Sequence, residues 1–155
     1  MALLYDQDTE LKAIRTIVDD NVPEKVRTSL LGHLNKEHFH NAPTLAAFNR
    51  ISSIAKKRYE ILTRDELVAD PVIDEDLRDI LKSSMKKIKP CKKRKEIRSV
   101  VTILERYRKI RAVYGIAQDS FKELDKSEVD IDHLLTLVTE VVAKANSGLT
   151  AEQFF

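Results

Sequence analysis

The residues whose types could do chemistry are four histidines, one cysteine and a small acidic group. His33, His38 and His40 fall within eight residues, while His133 stands far from them. A metal site built on them would need an HExxH helix or a paired Cys/His spacing, and neither occurs. His38 and His40 read instead as connector residues flanking a buried Phe39. Cys91 lies among lysines, whose charge should lower its pKa and make it reactive. No His or Asp is placed to assist it, so it reads as incidental. Asp74, Glu75, Asp76 and Asp79 read as carboxylates complementing the dipole at a helix N-terminus rather than as an acid–base pair. The three glycines, Gly32, Gly115 and Gly148, are isolated, and no GxxxxGKS or GxxxxGKT phosphate cradle is present. No catalytic residue, metal or cofactor is therefore expected in this chain.

Charge is the stronger signal. Formal net charge is only +2, but residues 82–111 hold thirteen Lys or Arg against Glu96 and Glu105, a net of +11, so the other 125 residues carry −9. Lys86, Lys87, Lys89, Lys92, Lys93, Arg94, Lys95 and Arg98 form the densest part, around Pro90. Such clusters attract phosphate backbones by counterion release, without reading sequence, and they attract acidic protein surfaces equally well. A solvated, self-repelling connector has the same composition. No zinc finger accompanies the run, and it lacks aromatics suited to base stacking, so sequence-specific readout is not expected.

The elements that must position these residues are helices. Three glycines and four prolines in 155 residues are too few for an all-β chain. Charged residues make up 34%, rich in helix formers. Leu11, Ile14, Ile17 and Val18 predict a helix over 8–20. Pro23 opens a second, with Val26, Leu30, Leu31 and Leu34 as its stripe. The stretch 38–43 predicts a connector, after which Thr44 caps a third helix bearing Leu45, Phe48, Ile51, Ile54 and Ala55. Thr63 and Glu66 form a capping box for a short helix stopped at Asp70-Pro71. Asp74 caps a helix with Leu77, Ile80, Leu81, Met85 and Ile88, ended by Pro90. From 99 to 124 one helical period runs unbroken. A turn over 125–128 and an Asp130 cap then lead to a second helix closed by Asn146-Ser147-Gly148.

The expected architecture is therefore all-α: a compact helical bundle over 1–90, a basic connector over 91–98, and a long antiparallel helical hairpin over 99–148. The hairpin's apolar stripes are broad enough to demand a partner surface. Thr150-Ala151-Glu152-Gln153 forms another capping box, and with Phe154-Phe155 it predicts, over 149–155, the start of a truncated linker helix. No stretch reaches the roughly 18 apolar residues of a membrane span. The single cysteine fits a reducing compartment, so a soluble cytoplasmic protein is expected.

Two stretches carry a family resemblance. Leu30-Leu31-Gly32-His33-Leu34-Asn35-Lys36-Glu37-His38-Phe39, followed by Leu45-Ala46-Ala47-Phe48-Asn49-Arg50-Ile51, resembles the N-terminal domain of DnaB-type hexameric replicative helicases. Leu104-Glu105-Arg106-Tyr107-Arg108-Lys109-Ile110-Arg111 through Ile116-Ala117, then Asp132-His133-Leu134-Leu135, is similar to that family's helical hairpin. The resemblance covers about residues 8–148 and looks more like the phage helicases than the bacterial ones; the basic stretch 82–98 departs from the usual pattern. It implies an architectural role in DNA replication. Hairpins pair, three pairs form a collar above the ATPase ring, and the collar offers docking surfaces to primase and to a helicase loader, with single-stranded DNA passing through its channel. ATP and Mg would belong only to an ATPase domain missing from this chain, and a phage protein would work in the host cytoplasm.

Within the hairpin, Ile103, Tyr107, Ile110, Tyr114, Leu134, Val138 and Val141 are the candidate oligomer interface. Each could equally be intramolecular core. Tyr107 and Tyr114 suit an interface best, because a phenol tolerates a wet rim. The basic residues named above are candidates for DNA-backbone or partner contact. Two other readings fit the chain: a primase C-terminal or helicase-loader adaptor domain, and a non-specific DNA-binding protein acting through 82–111.

Overall fold

The computed structural model describes residues 4–124 and 130–146, and these are helical throughout, with no strand among them. Seven helices follow in order: α1 (Gln7–Ile17), α2 (Glu24–His33), α3 (Ala42–Arg58), α4 (Arg64–Val68), α5 (Glu75–Lys87), α6 (Arg94–Leu124) and α7 (Ile131–Asn146), with a 3-10 turn at Lys36–His38. The turn over 125–128 and the capping box at Thr150 lie outside the described residues, as do Ser147 and Gly148.

Local chemistry sets most of the helix starts. The Asp6 carboxylate accepts the Thr9 N–H at 3.2 Å and opens α1. Thr63 and Glu66 close their reciprocal capping box on α4. Asp74 accepts the Asp76 N–H at 2.9 Å at the start of α5, and Asp130 accepts the His133 N–H at 3.1 Å at the start of α7. The Asp70-Pro71 break is organised by its own side chain: Asp70 accepts the Val72 N–H and takes Arg50 of α3 at 2.7 Å.

Helix α3 starts differently from the expectation. Thr44 does not cap it; the helix begins three residues earlier, with Asn41 at the cap position and Pro43 in the first turn. Asn41 makes no side-chain cap bond. The cap comes instead from Glu10 on α1, thirty residues back and fully buried. Its Oε1 accepts the His40 N–H at 3.0 Å, the Asn41 N–H at 3.1 Å and the Thr44 hydroxyl at 2.6 Å. A carboxylate here meets both the orphan amides and the positive end of the helix dipole. Thr44 is thus held inside the helix as a donor.

One core runs through the molecule. Leu11, Ile14 and Ile17 of α1 meet Phe48, Ile51 and Ile54 of α3, and Phe39 stacks on Phe48 at a centroid distance of 4.6 Å. Leu81 and Met85 of α5 join them, whereas Ile80, expected on the same stripe, is 44% exposed. Ile97, Val100, Val101 and Leu104 of α6 belong to the same core. The connector expected over 91–98 is therefore shorter, because α6 starts at Arg94 and Ile97 is already buried. Thirty-one helical residues extend about 46 Å. The first half of α6 lies on the bundle, and the second half leaves it paired with α7.

Replacing Glu10 with Ala strands the His40 and Asn41 amides, while the Thr44 hydroxyl keeps the Asn41 carbonyl at 3.0 Å. The unfolding free energy should fall by about 2–4 kcal/mol, and by less for Glu10→Gln, which keeps an acceptor; urea denaturation of the two variants checks the order.

Candidate functional site

The hairpin is the first candidate surface. Its inner seam buries Ile116 of α6 and Leu137 of α7. Glu123, only 3% exposed, accepts the Asp130 N–H at 3.2 Å and lies 3.7 Å from His133, so a buried acid ties the two helices near their connection. The outer side is apolar and open. On α6, Ile110, Val113, Tyr114, Phe121 and Leu124 are exposed at helical spacing, and on α7 so are Ile131, Leu135 and Val138. The apolar residues of α7 fill a broad arc opposite a polar face of Asp132, Thr136, Thr139 and Glu140, and Ile131, Leu135 and Val138 leave the edge of that arc uncovered.

The expected interface residues divide on this geometry. Ile110, Tyr114 and Val138 stand on the open face, at 39, 47 and 56% exposure. Ile103, Tyr107 and Leu134 are half-buried, Ile103 and Tyr107 where α6 still lies along the bundle. The side chain of Val141 lies outside the described residues. Phe121, Ile131 and Leu135 are more exposed than any of these, at 60% or above, and were absent from the expected set. Their signal was present: Phe121 is two turns beyond Tyr114, and Ile131 two turns before Val138. The Tyr114 hydroxyl accepts from Gln118 Nε2 at 3.2 Å, which leaves the ring free to pack.

The basic run is the second candidate. Lys86, Lys87, Lys89, Lys92, Lys93, Arg94, Lys95 and Arg98 are all exposed. Their settings are not equivalent. Lys86 and Lys87 close α5, where cations complement the negative helix end. Arg94 and Lys95 open α6, where the same dipole opposes them, and Glu96 is the one acid in that turn. Cys91 sits just before them and is buried. Burial pushes its thiol pKa up, against the pull of the Thr16 hydroxyl and Lys12. This corrects the expectation of a lysine-activated thiolate: the side chain is turned into the core, and its N–H donates to Thr16 Oγ1 at 2.8 Å.

Between the two surfaces lies a buried polar cluster that the sequence did not disclose. His38, read as a connector residue, holds Glu105 of α6 at 2.6 Å through Nε2. Its Nδ1 accepts the Asn35 N–H at 3.0 Å, which places the ring proton on Nε2 as the donor to Glu105. Glu105 also takes Arg108 through two nitrogens, the shorter bond 2.6 Å. Arg111, one turn on, donates to the carbonyls of Leu4 and Glu37 at 2.8 and 2.6 Å. These contacts fasten α6 to the N-terminal segment and the 3-10 turn where the hairpin departs. Two arginines of the 82–111 stretch are thus engaged internally.

The cluster titrates. Burial lowers the His38 pKa from its ordinary 6.5, outweighing the hydrogen bond and charge of Glu105. Burial pushes Glu105 the other way, but Arg108 and then His38 hold it below its ordinary 4.5. The unfolded chain therefore takes up the histidine proton first, so acidification favours unfolding. Stability should fall as pH drops below about 6.5, and Glu105 should add a second loss only at more acid pH. Urea midpoints at neutral and mildly acid pH should converge in His38→Asn relative to the parent chain. No protein-family model matches this chain, and no curated protein or solved structure matches it.

Proposed function

We propose that this chain is the N-terminal assembly and docking domain of a DnaB-type replicative helicase, contributing to the collar of its hexamer. The observation that carries the reading is the open apolar face of the α6–α7 hairpin, which leaves the bundle already paired and still exposes Tyr114, Phe121, Leu135 and Val138. Contiguous apolar surface of this kind marks an interaction site. A second copy of the same hairpin is self-complementary to it, since a two-fold axis sets each stripe against its equivalent. Helix-pair faces that together bury about 1,200 Å² or more sustain a specific dimer.

The order of elements supports the same reading. A helical bundle whose α2–α3 connector contains Phe39, followed by a hairpin whose first helix carries Arg106, Arg108, Lys109 and Arg111, follows the pattern of the resemblance. Hydrolysis of ATP would reside in a separate domain, and primase and a loader would dock on the collar. Among the described residues no helix is long and apolar enough to cross a membrane.

The test is the solution mass of the chain across concentrations, by light scattering behind a sizing column. A dimer that grows with concentration is expected. Tyr114→Glu or Val138→Glu should shift it to monomer by at least about tenfold in dissociation constant, with the helical circular dichroism unchanged. A monomer at every concentration removes self-pairing through the hairpin.

A further inference from the structure

A groove of about 690 Å³ opens at the other end of α6, between the start of α2 and the segment joining α5 to α6. Its volume is that of a ligand site rather than a surface wrinkle. Val22, Val26, Pro90, Cys91 and Ile97 give it apolar walls. Lys25 stands on one rim, and Lys89, Lys92 and Arg94 on the other. The one acid in the lining, Asp19, is already occupied: Arg15 holds its Oδ2 at 2.7 Å and the Asn21 N–H its Oδ1 at 2.8 Å. The net character is an aliphatic trough between cations.

The trough is preformed. Thr16, fully buried, donates its hydroxyl to the Lys12 carbonyl at 2.7 Å and accepts the Cys91 N–H at 2.8 Å, which pins the far wall to α1. Arg27 donates to the Val22 carbonyl at 3.0 Å and closes the near wall. A site that need not order itself on binding keeps more of its interaction energy.

The occupant must match both halves of this chemistry. A nucleic-acid backbone would use the cations, but no lining residue is aromatic and none offers a base a stacking platform. A wholly apolar ligand would use the floor and make no use of Lys25, Lys89 and Lys92. An acidic segment with one or two large aliphatic or aromatic side chains satisfies both: the side chain fills the trough while carboxylates meet Lys25 on one side and Lys89 and Lys92 on the other. We infer that this groove is a docking site for an acidic, apolar-anchored peptide segment of a partner protein. It is separate from the hairpin face and does not depend on the assembly reading.

Fluorescence anisotropy with three labelled probes tests the assignment. One is a short peptide alternating Asp or Glu with Leu or Phe; the second keeps its carboxylates but carries Ser at the apolar positions; the third is a short oligo-dT. The first should bind at least about tenfold tighter than the second. Lys25→Glu combined with Lys89→Glu and Lys92→Glu should weaken it at least about tenfold, as should Ser29→Trp, which fills the trough. All four positions are exposed or half-buried, and circular dichroism confirms that the variants fold. Tyr114→Glu should leave peptide binding unchanged, which keeps the outcome distinct from that of the hairpin. Equal binding of the two peptides overturns the inference, because charge alone would then suffice. Undiminished binding by the folded groove variants places the contact elsewhere and overturns it as well. Binding of oligo-dT with no binding of the first peptide would make the rim a nucleic-acid surface instead.

Discussion

The fold depends on placing carboxylates inside it and satisfying them from distant chain. Glu10 is the clearest case, with all three of its bonds accepted by Oε1. Removing a charged group from water costs several kcal/mol unless hydrogen bonds and opposite charge replace the lost hydration. Here the replacement comes from the start of α3, whose first amides would otherwise be orphans. Neither party is stable alone: the acid needs the amides, and α3 lacks a side-chain cap at Asn41. The requirement forces α1 and the start of α3 into one relative position, from which the Phe39–Phe48 stack and the shared core follow. Arg111 of α6 fastens the same region from a third helix by donating to the Leu4 and Glu37 carbonyls.

Glu105 repeats the device one layer further out. It is buried on α6 and compensated by His38 from the 3-10 turn and by Arg108 from its own helix. A third buried acid, Glu123, binds the α7 start. The three carboxylates therefore lie at successive junctions: bundle to α3, bundle to α6, and α6 to α7. A buried ion pair adds little net stability over a packed apolar contact, but it tolerates few alternative geometries, since every misplacement leaves a charge uncompensated. This explains how a helix can leave the bundle halfway along its length and still hold a defined direction.

Much of this helical frame was legible in the sequence because helix propagation and capping are local. Thr63 with Glu66, Asp74 and Asp130 each sit next to the amides they satisfy, and the apolar period of α1, α3 and α6 needs no partner to be seen. What escaped reading was non-local. Glu10 looks like a first-turn surface acid until the residues 40–44 are folded against it, so Thr44 took the role of cap by proximity. His38 reads as a polar connector until Glu105 arrives from sixty-seven positions away. Cys91 illustrates the same limit in electrostatics: its lysine neighbours point to water while its own side chain points to Thr16, and burial outweighs sequence proximity. The start of α6 was hidden for another reason. Its first turn carries cations where a helix start favours acids, so the charge run masked a helix already under way.

That misplaced charge also separates the two candidate surfaces. Lys86 and Lys87 have a structural reason to be where they are, since they complete α5. Arg94 and Lys95 stand at the start of α6, where cations each cost a few tenths of a kcal/mol to about 1 kcal/mol. Arg94 also lines the preformed trough, whose rim Lys25, Lys89 and Lys92 make cationic. The open hairpin face lies toward the opposite end of the same helix, beginning about 24 Å from Arg94 at Ile110 and ending about 45 Å away at Leu124 by helical rise. One rigid helix thus carries an apolar surface suited to a copy of itself and a cationic groove suited to something else. Because the two do not overlap, occupying one leaves the other accessible, and assembly and docking can proceed on the same chain without competing for residues.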